Sequence, residues 1–310
     1  MNAPSSRPAR WNRFFFRSAP PHALAVFRIG LGLFLLLVWG LRLPHVPMLY
    51  SSEGVVLPLM DATDVPLFLI PFFSVPPAFP AWLLYGTLLT ALVGLTVGLF
   101  ARAAAFIAFL LTAYFWNLSL HIFGTSFDQL FLFTLFVLSF SPSDRGLSLL
   151  MKLKHGSFLA QEPVCVLPQR ILALQITATY LGVGWQKLYL PDWQSGRILY
   201  QGFTGRWATP VALFAARHLP MWAYDALVEL TVWFEFMIPF GLWIRRFGIR
   251  WWFFLSGTVF HTLIALFLGI WWFLILIPAY ILFFEPEEVE SWFERKTKKT
   301  RKAQKTQKSA

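Results

Sequence analysis

Charge is what this chain has least of. Asp, Glu, Lys and Arg make up 13% of its 310 residues, while 57% are apolar. A soluble domain carries about 25% charged residues, so this chain has too few to coat a water-facing core of its size. Cysteine is nearly absent as well. The single Cys165 has no intrachain partner, which excludes a secreted disulfide scaffold. The six histidines include no i, i+3 or i, i+4 pair, and no cysteine cluster accompanies them, so no metal is expected. There is no Walker A loop and no G-x-S-x-G elbow. Gly182-Val183-Gly184 lies inside an apolar run, where it is no nucleotide fingerprint. Disorder is excluded by the same composition, except at the ends.

What is present are 34 Phe, 15 Trp and apolar runs long enough to cross a bilayer. They predict an all-α, polytopic transmembrane helix bundle. The run from His22 to Leu41 is too long for a signal-peptide core and has no small-residue cleavage site, so it reads as an uncleaved first span. Further spans are predicted at about 81–101, 103–120, 127–142, 169–189 and 222–244. From Trp251 to Phe284 there are 34 residues without a formal charge. One helix of that length would be about 50 Å long against a hydrocarbon core of about 30 Å. A hairpin turning near Gly269 would give spans seven and eight, and a single tilted helix with an interfacial tail is the alternative. Eight prolines in residues 44–80, with Glu53, Asp61 and Asp64, predict a loop there. Residues 143–169 and 191–221 read as polar connections. Gly94 and Gly98 have the four-residue spacing that lets helices approach closely.

The net charge of +11 does not point to nucleic acid, because the basic residues fall in bursts between apolar runs. With eight spans and both termini cytosolic, twenty Lys and Arg lie inside and five outside, and Arg28 lies within a span. That is the asymmetry of the positive-inside rule and predicts a multi-pass protein of the cytoplasmic (inner) membrane. The domain reading is a cytosolic basic leader at 1–20, a transmembrane domain at 21–290 and a disordered basic cytosolic tail at 291–310. The tail would attract anionic membrane lipid.

Ionisable residues inside spans are functional candidates by default. Arg28 and Glu235 fall at similar depth and read as a structural ion pair. His121, Asp128, Lys187, Asp225, Glu229 and His261 gather near the outer leaflet and predict a polar cavity opening outward. For Asp128 and Asp225, close to water, separate local pairing is the better reading. Desolvation at the membrane boundary disfavours an ammonium and makes a neutral amine available as a base. That makes Lys187 the residue of interest, with Trp185, Tyr189 and Trp193 as an aromatic wall for a ring-shaped, lipid-soluble ligand. The plainer alternative is a lysine snorkelling at a helix end.

Several strings together carry a resemblance. Tyr50-Ser-Ser-Glu-Gly54-Val-Val-Leu-Pro58 follows a first span containing Phe27-Arg28-Ile29. Gly184-Trp-Gln-Lys187-Leu-Tyr-Leu-Pro-Asp-Trp193-Gln-Ser-Gly196 comes next, then Glu229, Arg245-Arg246, Phe260-His261 and Leu282-Phe-Phe-Glu-Pro286. Over about residues 20–290 the chain resembles the horizontally transferred transmembrane domain family, bacterial relatives of vitamin K-dependent gamma-carboxylase.

The resemblance implies that Lys187 matches the lysine that deprotonates vitamin K hydroquinone in the eukaryotic carboxylase. Oxygen there yields an alkoxide that takes a proton from a glutamate gamma carbon, to which carbon dioxide adds. One more residue separates Lys187 from Asp192-Trp193 than in that enzyme's pattern. His261 matches the histidine of the family's Phe-His span. A second family histidine has no counterpart at Gly124-Thr125-Ser126, with His121 a few residues early. The eukaryotic enzyme's large lumenal domain has no equivalent in this sequence, so carboxylation of a propeptide-tagged protein is not expected.

The reading is thus a quinol-dependent carboxylase or epoxidase-type membrane enzyme with an outward-facing site. Lys187, His261 and Glu229 are its catalytic candidates, and Trp185, Trp193 and His121 its ligand-binding ones. The implied cofactor is a reduced naphthoquinone of vitamin K or menaquinol type, with an acceptor the sequence does not identify. The rival classes are a simple quinone oxidoreductase and a non-enzymatic scaffold, assembly factor or transporter subunit.

Overall fold

A computed structural model describes residues 7–56, 74–123, 125–246 and 248–294, with the side chains of 7–9, 120–123 and 126 outside the description. The middle of the proline-rich stretch, with Asp61 and Asp64, and the basic tail from Arg295 onward lie outside the described residues.

The regular structure of the described residues is helical, apart from one pair of two-residue strands. Its helices are α1 (Arg7–Phe16), α2 (His22–Arg42), α3 (Val46–Tyr50), α4 (Ala78–Val97), α5 (Ala101–Phe123), α6 (Ser126–Ser139) and α7 (Leu149–His155). They continue with α8 (Leu167–Tyr189), α9 (Arg197–Thr204), α10 (Pro210–His218), α11 (Met221–Trp243), α12 (Ile249–Leu268) and α13 (Leu276–Ala279). Among the described residues, five stretches are long and apolar enough to cross a membrane: His22–Tyr50, Ala78–Val97, Ala101–Ser119, Met221–Trp243 and Ile249–Leu268. Helix α6, with 14 residues, is shorter. Helix α8 has the length but is more polar than those five, since it carries Gln169, Arg170, Gln175, Gln186 and Lys187. The stretch 44–50, the start of the predicted loop, continues helically to Tyr50. Pro44 and Pro47 each stand in the first turn of a new helical segment, where a missing N–H costs nothing.

Two compact units divide the chain. The first comprises residues 1–169 and 285–310. Within it α4 packs against α2 and α5, and α5 against α6. Buried residues on α4 recur at Ala81, Tyr85, Leu88, Leu92 and Leu95, the period of one helix face. Leu33, Leu37 and Leu41 of α2 are apolar and exposed, as suits a surface facing hydrocarbon rather than water. Trp39, Tyr50, Tyr85 and Phe115 form an aromatic cluster, and the Tyr85 hydroxyl donates to the Trp39 carbonyl.

Gly98 does not serve a helix crossing. It ends α4 in the left-handed region (φ 71°), and its missing side chain leaves room for the Arg28 guanidinium. Arg28, fully buried, donates from Nη2 to the Leu147 carbonyl at 2.8 Å. Strands β1 (Ser18–Ala19) and β2 (Val164–Cys165) pair antiparallel nearby in sequence to Arg17, which bridges Glu285 at 2.6 Å and Glu287.

The second unit runs from Arg170 to Phe284. Helix α12 packs on α11, stops at Gly269 (φ 64°), and the chain returns along it as two 3-10 turns flanking α13. The 34 uncharged residues therefore form a hairpin. The connection 191–221 is largely helical: a 3-10 turn at Pro191–Gln194, then α9 and α10.

Candidate functional site

Thr177, Tyr180, Gly184 and Lys187 are spaced by three, four and three residues and share one face of α8. Opposite them runs α11 in the antiparallel sense. Trp243 Nε1 donates to Thr177 Oγ1 at 3.0 Å, Phe236 covers Gly184, and Lys187 Nζ donates to Glu235 Oε1 at 2.6 Å. Pro239, inside α11, removes the backbone hydrogen bond that the Glu235 carbonyl would otherwise accept.

After Tyr189 the chain turns through Pro191–Gln194, which brings Trp193 back over the amine. Lys187 Nζ lies 4.0 Å from the centroid of that ring. Three hydrogen bonds hold the turn. Trp193 N donates to the Leu190 carbonyl at 3.0 Å, Gln194 Nε2 to the Leu188 carbonyl at 2.9 Å, and Gly196 N to Asp225 Oδ1 at 2.6 Å. A side chain at Gly196 would collide with the backbone of Tyr224 and Asp225.

These elements enclose a cavity of about 760 Å³, with Trp185, Lys187, Trp193, Asp225, Glu229 and Trp233 in its walls and Phe236, Met237 and Phe240 beyond them. Among the sequence-predicted residues, the structure thus brings Lys187, Glu229, Trp185 and Trp193 to one cavity. Glu229 is exposed there, whereas the Lys187 and Glu235 side chains are only 12% and 7% exposed. The second carboxylate oxygen, Glu235 Oε2, is buried and has no hydrogen-bond partner among the described residues.

Other predicted residues lie outside the cavity or, in the case of Asp225, line it while serving the local fold. His261 is buried, with Nε2 2.5 Å from the Tyr180 hydroxyl, which is also 2.5 Å from the Tyr280 hydroxyl. Tyr180 precedes Lys187 by seven residues, about 10 Å along the helix, and none of the three lines the cavity. The His121 side chain lies outside the described residues. Asp128 closes a capping box at the start of α6, accepting from the Thr125 N–H at 2.8 Å and hydroxyl at 2.9 Å. Asp225 holds the Gly196 turn, as above. The ion pair expected between Arg28 and Glu235 is corrected: the Glu235 carboxylate is taken by Lys187, and Arg28 is satisfied in part by the Leu147 carbonyl. Depth along a helix fixes height but not direction, and the direction favours Lys187.

A family model for the HTTM domain matches residues 16–288. The chain belongs to the HTTM-domain family. The match takes in all of the second unit, most of the first and every residue of the cavity. No curated protein and no solved structure matches the chain. With its apolar helices, this HTTM protein is a membrane protein. Its cavity combines a nearly buried amine, an aromatic wall and carboxylates, a set able to bind a flat apolar ring and to take a proton from a hydroxyl on it.

Proposed function

We propose that this HTTM protein is a quinol-dependent, carboxylase-type membrane enzyme in which Lys187 is the base. The observation that carries the reading is the placement of Lys187 Nζ in the cavity wall, under the Trp193 ring and against Glu235. The cavity volume of about 760 Å³ lies within the range of small-molecule sites. Trp185, Trp193 and Trp233 offer flat apolar walls to a reduced naphthoquinone, and Lys187 and Glu229 offer polar contacts to its hydroxyls. When bound, that group supplies the reducing electrons and an acidic hydroxyl.

The chain's own residues do the rest. Trp193 and the hydrogen-bonded turn behind it fix the amine and keep water from it. Lys187 takes the hydroxyl proton at Nζ. Glu229, at the exposed side of the cavity, orients the polar end of the ligand. His261, with Tyr180 and Tyr280, supports the face of α8 that carries Lys187. The acceptor of the later chemistry is a further partner whose identity the cavity does not specify.

We place the protein in the cytoplasmic membrane with about eight spans, both termini cytosolic and the cavity open to the outer side. The five apolar helices, the shorter α6, the more polar α8 and the hairpin after Gly269 support that count, and the excess of basic residues on the inner side supports the orientation. The test is oxidation of reduced menadione by the purified protein in nanodiscs, with Lys187→Ala beside it. Loss of about 10²–10⁴-fold in the variant is expected. Equal turnover by wild type and variant overturns the base role, and no turnover by a folded wild type favours a non-enzymatic scaffold.

A further inference from the structure

A base that sits as an ammonium cannot accept a proton, and Lys187 is hydrogen-bonded as a donor. Its partner is therefore part of its chemistry. Glu235 stands on α11 with Oε1 2.6 Å from Lys187 Nζ, and its own side chain is more buried than that of the lysine. Its other oxygen, Oε2, meets no hydrogen-bonding group among the described residues. Glu229 and Asp225, on the same helix, are exposed, and Asp225 is engaged by Gly196 N. Of the three carboxylates on α11, only Glu235 touches the amine.

We propose that Glu235 is the positioning residue that makes Lys187 a base, by taking the lysine's proton and keeping it. This rests on the reading of the cavity as a quinol site. The proton bookkeeping is closed. In the resting pair the ammonium N–H bond breaks with its electron pair left on nitrogen, and a new O–H bond forms on Glu235 Oε1. The neutral amine then uses that lone pair to form an N–H bond to the ligand's hydroxyl proton, and the O–H electron pair stays on the ligand oxygen. The products are an ammonium beside a ligand oxyanion, and a protonated Glu235. No electron is transferred in this step and the net charge of the site is unchanged throughout. That constancy is what a poorly hydrated site favours, since an added uncompensated charge there is costly. The ammonium that results stays beside the oxyanion it has created, and the Trp193 ring at 4.0 Å steadies it.

The pattern also explains why the carboxylate is set against the amine rather than in the open part of the cavity. An exposed carboxylate would exchange its proton with water and would compete with the ligand for the amine. A buried one, with a backbone carbonyl freed of its helical hydrogen bond by Pro239 at the same residue, is held at a local irregularity of α11.

The experiment uses the full-length protein in nanodiscs with reduced menadione as probe. Binding is followed by quenching of the cavity tryptophans. Glu235 is followed by the infrared C=O stretch of a protonated carboxylic acid in the bound-minus-free difference spectrum. Wild type is expected to gain that band on binding, and Glu235→Gln to bind with a similar constant but without the band. In turnover, Glu235→Gln is expected to lose kcat by about 10²-fold with KM within about threefold, and Glu235→Asp to recover part of it. A merely structural role would raise KM or weaken binding and leave no band to lose. A Glu235→Gln protein that keeps wild-type kcat, or a band that persists in it, overturns the proposal. If wild type binds and shows the band without turning over, the role of Glu235 stands and the quinol-oxidising reading falls. If wild type binds no quinol, both fall.

Discussion

Replacing one member of the Lys187–Glu235 pair tests whether it is the buried contact the structure shows. The two side chains are 12% and 7% exposed and 2.6 Å apart, so each charge has little access to water as an alternative partner. Removing one partner of a buried ion pair leaves the other uncompensated and costs about 3–5 kcal/mol. The Trp193 contact to the amine survives in Glu235→Leu, and the amine retains a small opening toward the cavity, which puts that variant at the low end, about 3 kcal/mol. Lys187→Met leaves a carboxylate with no counterion and is expected to cost a similar ~3 kcal/mol. The double variant removes both charges and restores apolar packing between α8 and α11. It is expected to cost no more than either single change, a coupling of about 3 kcal/mol. The assay is equilibrium unfolding in bicelles by steric trapping, run as a double-mutant cycle. Single changes of less than about 1 kcal/mol, or a double variant equal to the sum of the singles, would refute the buried pair.

Three further predictions concern neighbouring features. Gly98→Ala forces a side chain into a left-handed backbone position and against Arg28. It should destabilise the first unit by about 2 kcal/mol or more in the same assay, whereas Gly86→Ala, with open space around it, should stabilise or leave it unchanged. Asp128→Ala removes the capping box of α6 and should cost about 1 kcal/mol of stability with quinol binding unchanged; altered binding would return Asp128 to the site. Trp193→Leu removes the ring over Lys187 and should raise the KM for reduced menadione about fivefold, the equivalent of about 1 kcal/mol, and an unchanged KM would contradict the aromatic wall.

Much of this architecture is legible in the sequence because the bilayer imposes length and apolarity together. The helices from His22, Ala78, Ala101, Met221 and Ile249 begin within a few residues of where the apolar runs place them. Lys187, Trp185 and Trp193 are close in sequence, and Asp225 and Glu229 share a helix face, so local spacing alone gathers most of the cavity. Glu235 pairs with Lys187 and not with Arg28, a choice that depth in the sequence does not make because similar depth says nothing of azimuth. Two local signals bear on it: Pro239 four residues on, and a small residue, Gly184, one turn before Lys187, where the Phe236 side chain of α11 packs. The Tyr180–His261–Tyr280 contacts join residues 81 and 100 positions apart, and no periodicity reveals such pairs. The helices of the 191–221 connection were hidden by their polarity and their glycines. The spacing of Gly98 to Gly94 fits a helix-crossing motif, and only the backbone shows that Gly98 ends the helix.

The central claim is that Lys187 acts as a base, and Lys187→Arg tests it most directly. Arginine keeps a positive charge that can pair with Glu235 and stack under Trp193, but it does not deprotonate in proteins. With reduced menadione in nanodiscs, the account predicts that this variant folds and binds the quinol yet turns it over at the level of Lys187→Ala. Wild-type turnover by Lys187→Arg would contradict it.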